Sequence, residues 1–297
     1  MNIVINGASG YIGYHLTNEL LNQGHTVYAI CRSKPGFLEK IENNDNLKII
    51  TTSQQELEES IKDKAVDVFY HLLWEGACGE LRASPEIQIK NELMALSALR
   101  IAEKIGCKKI IFTGTVYERL VEIIIKDDKF NKNSFYIISK AHTHQTTYEL
   151  SKSMDIDYIW VQFCHPIGLY MGKNQLIPYA INAFRNNEET AFGKCENYFD
   201  IISVEDLAKA LATLGVNDTK KNFYYIGSDE PKQLKSYITK AAELCGYKLE
   251  IGFGKRKDDG LIFEKEWFDS SSFVNEFYSL SENGFENAVK SMLQGDN

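Results

Sequence analysis

Asn6-Gly7-Ala8-Ser9-Gly10-Tyr11-Ile12-Gly13 decides how this chain is read. It follows a short apolar run, residues 2–6. It opens a stretch, residues 10–22, in which Ile12, Leu16, Leu20 and Leu21 recur at helical spacing until Gly24. A strand, a glycine-rich turn and a helix in that order can hold phosphates. Gly7 permits the tight turn, Gly10 lets the backbone approach a ligand, and Gly13 lets helix and strand pack closely. The helix start then offers free N–H groups and the positive end of its dipole to an anion. A glycine-rich βα turn with no ligand has the same sequence, so the stretch gains meaning from its surroundings.

Outward from the turn, strand and helix signals alternate. Residues 26–31, 47–51, 66–72, 109–113 and 158–163 read as strands, and 54–62, 85–105 and 135–154 as the helices among them. Strands separated by helices imply an α/β fold with a doubly wound parallel sheet, which binds ligands at the carboxyl ends of its strands. Gly7, His71 and Thr113 fall at such ends. The pattern loosens after Pro166, where 199–204 and 223–226 read as strands and 206–214 and 234–245 as helices. The expected organisation is a dinucleotide-binding domain, 1–165, to which 198–227 returns. A smaller α/β lobe, 166–197 and 228–297, is expected to close over the cofactor and bind substrate.

Composition sets the outer bounds. The 297 residues are 44% hydrophobic and 25% charged, enough for a large domain and a lobe. A net charge of -8 and the lack of a Lys/Arg-rich run argue against nucleic acid as a partner. The six cysteines form no C-x-x-C pair and no cluster with histidine, so free thiols are expected and no metal site. No apolar run approaches ~18 residues, and Met1 leads straight into the first strand. A cytoplasmic protein without a membrane partner is expected.

The second strand ends Cys31-Arg32-Ser33, with no acid to select the ribose of NAD. Arg32 can pair with a 2′-phosphate and Ser33 can hydrogen-bond it, so NADP(H) is favoured over NAD(H). Tyr136-Ile137-Ile138-Ser139-Lys140 puts a phenol and an ammonium on one helix face. A phenol titrates near ~10, and a neighbouring ammonium lowers that value and makes the group useful for proton transfer. The spacing is common and gains weight here because it follows the fifth strand of a sheet that already carries the glycine turn. Thr113 ends that strand, and its hydroxyl can reach a substrate oxygen. Thr115 competes for the role.

These segments together resemble the extended short-chain dehydrogenase/reductase family, in its nucleotide-sugar epimerase, dehydratase and reductase branch. The similarity runs from residue 2 to about 227. Its carriers are the glycine turn, His71-Leu72-Leu73, Phe112-Thr113-Gly114-Thr115-Val116-Tyr117, the Tyr136–Lys140 segment and Asp200-Ile201-Ile202-Ser203-Val204-Glu205-Asp206. The resemblance implies a Rossmann-type fold with Thr113, Tyr136 and Lys140 as catalytic residues. It implies a cofactor held by Gly7, Ser9, Gly10, Tyr11, Ile12, Gly13, Arg32, Ser33, Leu72, Asn91 and Cys164, as well as by Tyr136 and Lys140. Asn91 matches the asparagine that supports the lysine. His165 falls at a position that contacts substrate phosphate. A homodimer built on helices 85–105 and 135–154 is inherited in the same way.

One departure separates the chain from the family's dehydratases. Those carry Asp-Glu directly after the catalytic threonine, where this chain has Gly114 and Thr115. Expelling water needs that extra acid and base. The stretch His71-Leu72-Leu73-Trp74-Glu75-Gly76, with Gly79-Glu80-Leu81-Arg82, is similar to bacterial 4-ketosugar reductases of the CDP-abequose synthase type. That places Trp74, Arg82, Thr115 and His165 near the substrate. The expectation is NADP-dependent reduction of a 4-keto-6-deoxy nucleotide sugar. A 4-epimerase with tightly bound NAD, and a non-catalytic protein that senses dinucleotides, are the alternatives.

Overall fold

Ile3, Val4 and Ile5 are wholly buried, as are Phe69 and Tyr70, and Ile110 and Ile111. Strands whose consecutive residues are all inside must be covered on both faces. That pattern forces the architecture seen in the computed structural model, which describes every residue except Lys129, Asp258, Asp259, Leu261, Asp296 and Asn297.

The strands are β1 (Asn2–Asn6), β2 (Thr26–Cys31), β3 (Leu47–Thr51), β4 (Val68–His71), β5 (Lys109–Thr113), β6 (Asp157–Gln162), β7 (His165–Ile167), β8 (Tyr198–Phe199), β9 (Ile201–Ser203), β10 (Phe223–Tyr225) and β11 (Lys232–Gln233). The helices are α1 (Tyr11–Asn22), α2 (Leu57–Ile61), α3 (Pro85–Lys104), α4 (Val121–Lys126), α5 (Ser134–Ser151), α6 (Leu176–Arg185), α7 (Val204–Val216), α8 (Leu234–Cys245), α9 (Ser271–Val274) and α10 (Gly284–Gly295). The chain divides into two compact units. One is Met1–Gln162 with Ala208–Tyr224, and the other is Phe163–Leu207 with Tyr225–Asn297.

The first unit carries a seven-stranded sheet in the order β10-β6-β5-β4-β1-β2-β3. From β3 to β6 every neighbouring pair is parallel. The chain winds outward from β1 in one direction and from β4 in the other, so the order reverses between these two strands. Loops leave in opposite directions at such a point and open a crevice at the strand ends. Register closes the geometry: Asn6 lies beside Ile30 on one side and His71 on the other. Gly7, Cys31 and Leu72 therefore leave the sheet side by side.

Val4, Ile30, Phe69, Phe112 and Trp160 meet Ala95, Ala98, Leu99 and Ala102 of α3 in one buried cluster. The small residues at helical spacing let α3 lie close to the sheet. Each fully buried large side chain in such a cluster stabilises the fold by about 1.5–3 kcal/mol. The later half of α7 is tied to the same unit through polar groups. The Tyr70 hydroxyl donates to the Leu211 carbonyl at 2.9 Å, and the buried Lys109 ammonium donates to the carbonyls of Leu214 and Asn217.

In the second unit β7 pairs parallel with β9, and β8 pairs antiparallel with β11. The strand expected over 199–204 is interrupted at Asp200. Its carboxylate turns inward to accept from the Tyr225 hydroxyl at 3.0 Å and the Ser228 amide at 2.8 Å. An anchored side chain of this kind breaks the ladder into β8 and β9, and Val204 already begins α7. Residues 198–207 group with the second unit, so the return to the first is Ala208–Tyr224 rather than 198–227. Among the described residues no helix is long and apolar enough to cross a membrane.

The turn offers a direct check of this packing. A Cβ on Gly13 would run into the Gly7 carbonyl oxygen, whereas one on Gly24 would meet open space. Gly13→Ala is expected to cost about 1–3 kcal/mol in urea unfolding through overpacking. Gly24→Ala should cost only its backbone strain at a φ of +80. Equal costs would contradict the close approach of turn and helix.

Candidate active site

The glycine turn sits at the reversal point. Gly7 has φ +97, and a Cβ there would lie 2.8 Å from the Leu73 amide nitrogen. The turn closes with the Gly10 N–H donating to the Gly7 carbonyl at 3.1 Å. Gly10 is also the N-cap of α1, and no side chain caps that end. The start of α1 thus carries no side-chain cap and faces the turn, the arrangement in which a helix N-terminus receives a pyrophosphate. Beside them lies a cavity of about 290 Å³ whose walls include Gly7, Ser9, Gly10, Arg32, Ser33 and Leu72. Lys34 and Trp74 also line it, and none of its walls is a carboxylate. The residues fit a dinucleotide. Tyr11, Ile12 and Gly13 form the start of α1 itself.

Two residues of this region meet the loop after β4. Arg32 meets the Glu75 carboxylate at 2.9 Å, and Lys90 lies 3.9 Å from the same group. The wholly buried amide of Asn91 bonds the backbone of Glu75, accepting from the N–H at 2.9 Å and donating to the carbonyl at 2.7 Å. Asn91 therefore fixes the loop after β4.

Tyr136 and Lys140 lie on α5, both buried. The Lys140 ammonium donates to the Thr113 carbonyl at 2.8 Å and lies 3.7 Å from the centre of the Trp74 ring. Trp74 is held by its own indole N–H, which donates to Gln88 at 2.9 Å. Burial pushes the lysine down to about 7, and the Glu118 carboxylate opposes that shift. Tyr136 moves the other way. Burial pushes its phenol up to about 12, while the Arg82 guanidinium and a hydrogen bond to the Thr115 side chain pull it down. The sequence reading gave the acidifying cation as Lys140 and a hydroxyl for the substrate oxygen as Thr113, with Thr115 as its competitor. In the structure the guanidinium of Arg82 also lies 4.2 Å from the centre of the phenol ring, and the Thr115 side chain bonds the phenol. Thr113 contributes the carbonyl that anchors the lysine.

Beneath the pair lies a group the sequence reading missed. Glu118 is 4% exposed. One of its oxygens accepts from the Thr115 N–H at 2.6 Å; the other accepts from the Trp160 indole at 3.1 Å and Gln162 at 2.7 Å, with His144 Nδ1 3.3 Å away. Gln162 is oriented by Arg119, which donates to its carbonyl oxygen at 3.1 Å. Thr115 and Glu118 form a capping box on the 3₁₀ turn Val116–Leu120. Its T-x-x-E signature was present in the sequence. Gly114 is required here because a side chain would strike Trp160 and Glu118.

His71 at the end of β4 is buried and neutral. Burial first, and then the charge of Lys140, push it down to about 3. Cys164 and His165 belong to the second unit. Burial pushes the Cys164 thiol up and lowers His165 to about 4, so His165 is not a charged acid at neutral pH. Among the described residues no group of three or more His, Cys, Asp or Glu side chains could hold a metal ion.

A parallel sheet with a phosphate-binding turn at its reversal point, and a buried Tyr–Lys pair at the next strand end, define a dinucleotide-dependent enzyme. Residues 3–227 match the profile of the NAD dependent epimerase/dehydratase family, and the chain belongs to that family. It is 26% identical over 291 residues to CDP-abequose synthase of Salmonella typhimurium, covering 94% of this chain and 85% of that one. It is 24% identical over 245 residues to dTDP-6-deoxy-L-talose 4-dehydrogenase (NAD(+)) of Aggregatibacter actinomycetemcomitans, covering 80% and 88%. In fold it is similar to UDP-N-acetylglucosamine 4-epimerase from Methanobrevibacter ruminantium, solved with UDP-N-acetylmuramic acid. That match has a TM-score of 0.82 and 22% identity, over 99% of this chain and 97% of that one.

Burial of Lys140 has a consequence for stability. Unfolded, the lysine titrates near ~10.4; folded, near about 7. Between those values the unfolded chain binds the extra proton, so stability rises with pH. Lys140→Met removes this dependence. Urea unfolding of both proteins at pH 7 and pH 9.5 should show the parent gaining on the variant by a few kcal/mol, on the order of one pKa unit per 1.4 kcal/mol. A constant difference would mean that the ammonium is solvated.

Proposed function

We propose that this protein reduces the ketone of a 4-keto-6-deoxy nucleotide sugar with NADPH, Tyr136 acting as the general acid. The observation that carries it is a buried phenol held protonated beside Thr115, with Gly114 and Thr115 where a dehydratase would place its acid pair. The substrate class is supported by the names of two relatives above, both of which name a nucleotide-linked sugar and one of them a 6-deoxy sugar.

A reduced nicotinamide dinucleotide, held through its pyrophosphate at the glycine turn, would supply the hydride. Tyr136 gives its proton to the ketone oxygen as negative charge develops there. Thr115 orients the phenol, and the Thr113 hydroxyl bonds the substrate oxygen. Lys140, fixed on the Thr113 carbonyl, holds the ribose. Gly7, Gly10 and the start of α1 hold the pyrophosphate. Arg32, Ser33 and Lys34 take the 2′-phosphate. The Arg32–Glu75 pair does not prevent this. Its arginine is more than half exposed, and such pairs are worth about 0–1 kcal/mol. A phosphate accepts more, and stronger, charge-assisted bonds.

A 4-epimerase that retains NAD is the second reading, favoured by the fold match to an epimerase and by Glu75 occupying Arg32. A non-catalytic sensor has less behind it, because both Tyr136 and Lys140 are present and buried. For assembly we propose a homodimer on α3 and α5, supported by the exposed Ile89, Leu93 and Phe135.

Mixing the protein with NADPH and a panel of 4-keto-6-deoxy sugar nucleotides should produce a stoichiometric loss of NADPH absorbance. Tyr136→Phe should lower the rate by about 10²–10⁴-fold. Arg32→Ala should raise KM for NADPH and leave that for NADH nearly unchanged. Interconversion of epimers by protein carrying non-exchanging NAD, with no net NADPH loss, would replace the reductase with the epimerase.

A further inference from the structure

Arg82 lies on the 3₁₀ turn Glu80–Ala83 that follows Gly79. Its guanidinium lies in the corner formed by two nearly perpendicular rings, 4.5 Å from the centre of Tyr117 and 4.2 Å from that of Tyr136. Its Nε and Nη2 are buried and have no hydrogen-bond acceptor among the described residues. Buried donors without acceptors are costly, and a neutral ring face repays only part of that cost. The side chain is therefore under-satisfied while Tyr136 is a neutral phenol.

The cation expected from the sequence points elsewhere. Lys140 spends its ammonium on the Thr113 carbonyl and the Trp74 face. Burial holds it near about 7, so part of it is uncharged at neutral pH. A guanidinium cannot lose its charge in this way. The other charged or titratable groups acting on Tyr136 are Glu118, from the turn Val116–Leu120, and Cys78, from the loop after β4. Both oppose its ionisation.

We propose that Arg82 is a positioning residue for proton transfer, the fixed cation that stabilises Tyr136 as its proton leaves. This rests on the reading of Tyr136 as the acid. In the step, the O–H bond of Tyr136 breaks and its electron pair stays on the phenol oxygen. The proton forms a new O–H bond on the substrate oxygen, which carries the negative charge left by hydride addition to the ketone carbon. The resulting phenolate spreads charge into the ring that faces Arg82. The interaction is weak before transfer and strong after it, which is the condition for lowering a barrier rather than merely binding.

The test reads Tyr136 directly. The protein is labelled with 3-fluorotyrosine, whose phenol is more acidic, and the Tyr136 ¹⁹F resonance is assigned by its loss in Tyr136→Phe. Arg82→Met, which can still fill the space between the rings, should raise the titration midpoint of that resonance by about one pH unit or more, corresponding to a tenfold change in equilibrium. Arg82→Lys should recover part of the shift. Lys140→Met should move it less than Arg82→Met. In turnover, Arg82→Met should lower kcat by about tenfold, leave KM for NADPH unchanged, and displace the pH profile in the same direction as the resonance.

An unmoved resonance and pH profile in Arg82→Met would overturn the proposal, as would a larger displacement in Lys140→Met. If Tyr136→Phe retained full turnover, the reading of Tyr136 as acid would fail on its own, while the resonance would still report whether Arg82 acts on the phenol. Loss of the folded ¹⁹F spectrum in Arg82→Met transfers the decision to Arg82→Lys. That variant must then show a midpoint displaced from the parent, or the proposal falls.

Discussion

A buried carboxylate ringed by hydrogen-bond donors organises this site. Glu118 collects the Thr115 amide, the Trp160 indole and the Gln162 amide. All three are donors, so the group serves as an acceptor on both oxygens. Removing any one partner would leave charge poorly compensated in a low-dielectric interior, at a cost comparable to that of a buried unpaired group. The consequences reach outward. The 3₁₀ turn after β5 is fixed, position 114 must be glycine, and Thr115 is aimed at the phenol. The same charge favours the ammonium of Lys140 and disfavours the phenolate of Tyr136. One side chain thus fixes the shape of the turn and adds its charge to the pair, whose resting protonation is set first by burial.

The parts legible in the sequence are those in which residue type encodes the constraint locally. Gly7 and Gly13 are glycines because any side chain would strike backbone. The strands β1, β4 and β5 were readable because burial on both faces demands unbroken apolar runs. Tyr136 and Lys140 were readable because four residues make a helical turn. What could not be read depends on partners distant in the chain. Two of the three donors to Glu118 come from β6, 42 and 44 residues away. Arg32 finds Glu75 at a separation of 43. The Asn91 amide serves the Glu75 backbone. Spacing along a helix shows which residues share a face, but not which neighbour that face meets.

The loop after β4 shows how such distant pairings become functional. Trp74, Glu75 and Arg82 all lie on it or on the turn it leads into. Asn91 pins Glu75 by its backbone, leaving the carboxylate free to meet Arg32. Gln88 pins Trp74, whose face receives Lys140. Helix α3 therefore holds one side of the loop through two buried amides, and that loop in turn touches both Arg32 and Lys140. The second unit has an anchor of its own, Asp200, which accepts from the Tyr225 hydroxyl and the Ser228 amide.

Two cations near one phenol need not do the same work, and their environments separate them. Lys140 is fully enclosed, bonded to a carbonyl and lowered by burial, so its best-defined property is position. A guanidinium stays charged inside proteins, and two nitrogens of Arg82 have no acceptor among the described residues, so its best-defined property is unspent charge. An interaction that is already satisfied in the resting state cannot grow much as the reaction proceeds, whereas an unsatisfied one can. Division of labour follows from that asymmetry: Lys140 holds geometry, and Arg82 answers the charge that appears when Tyr136 releases its proton.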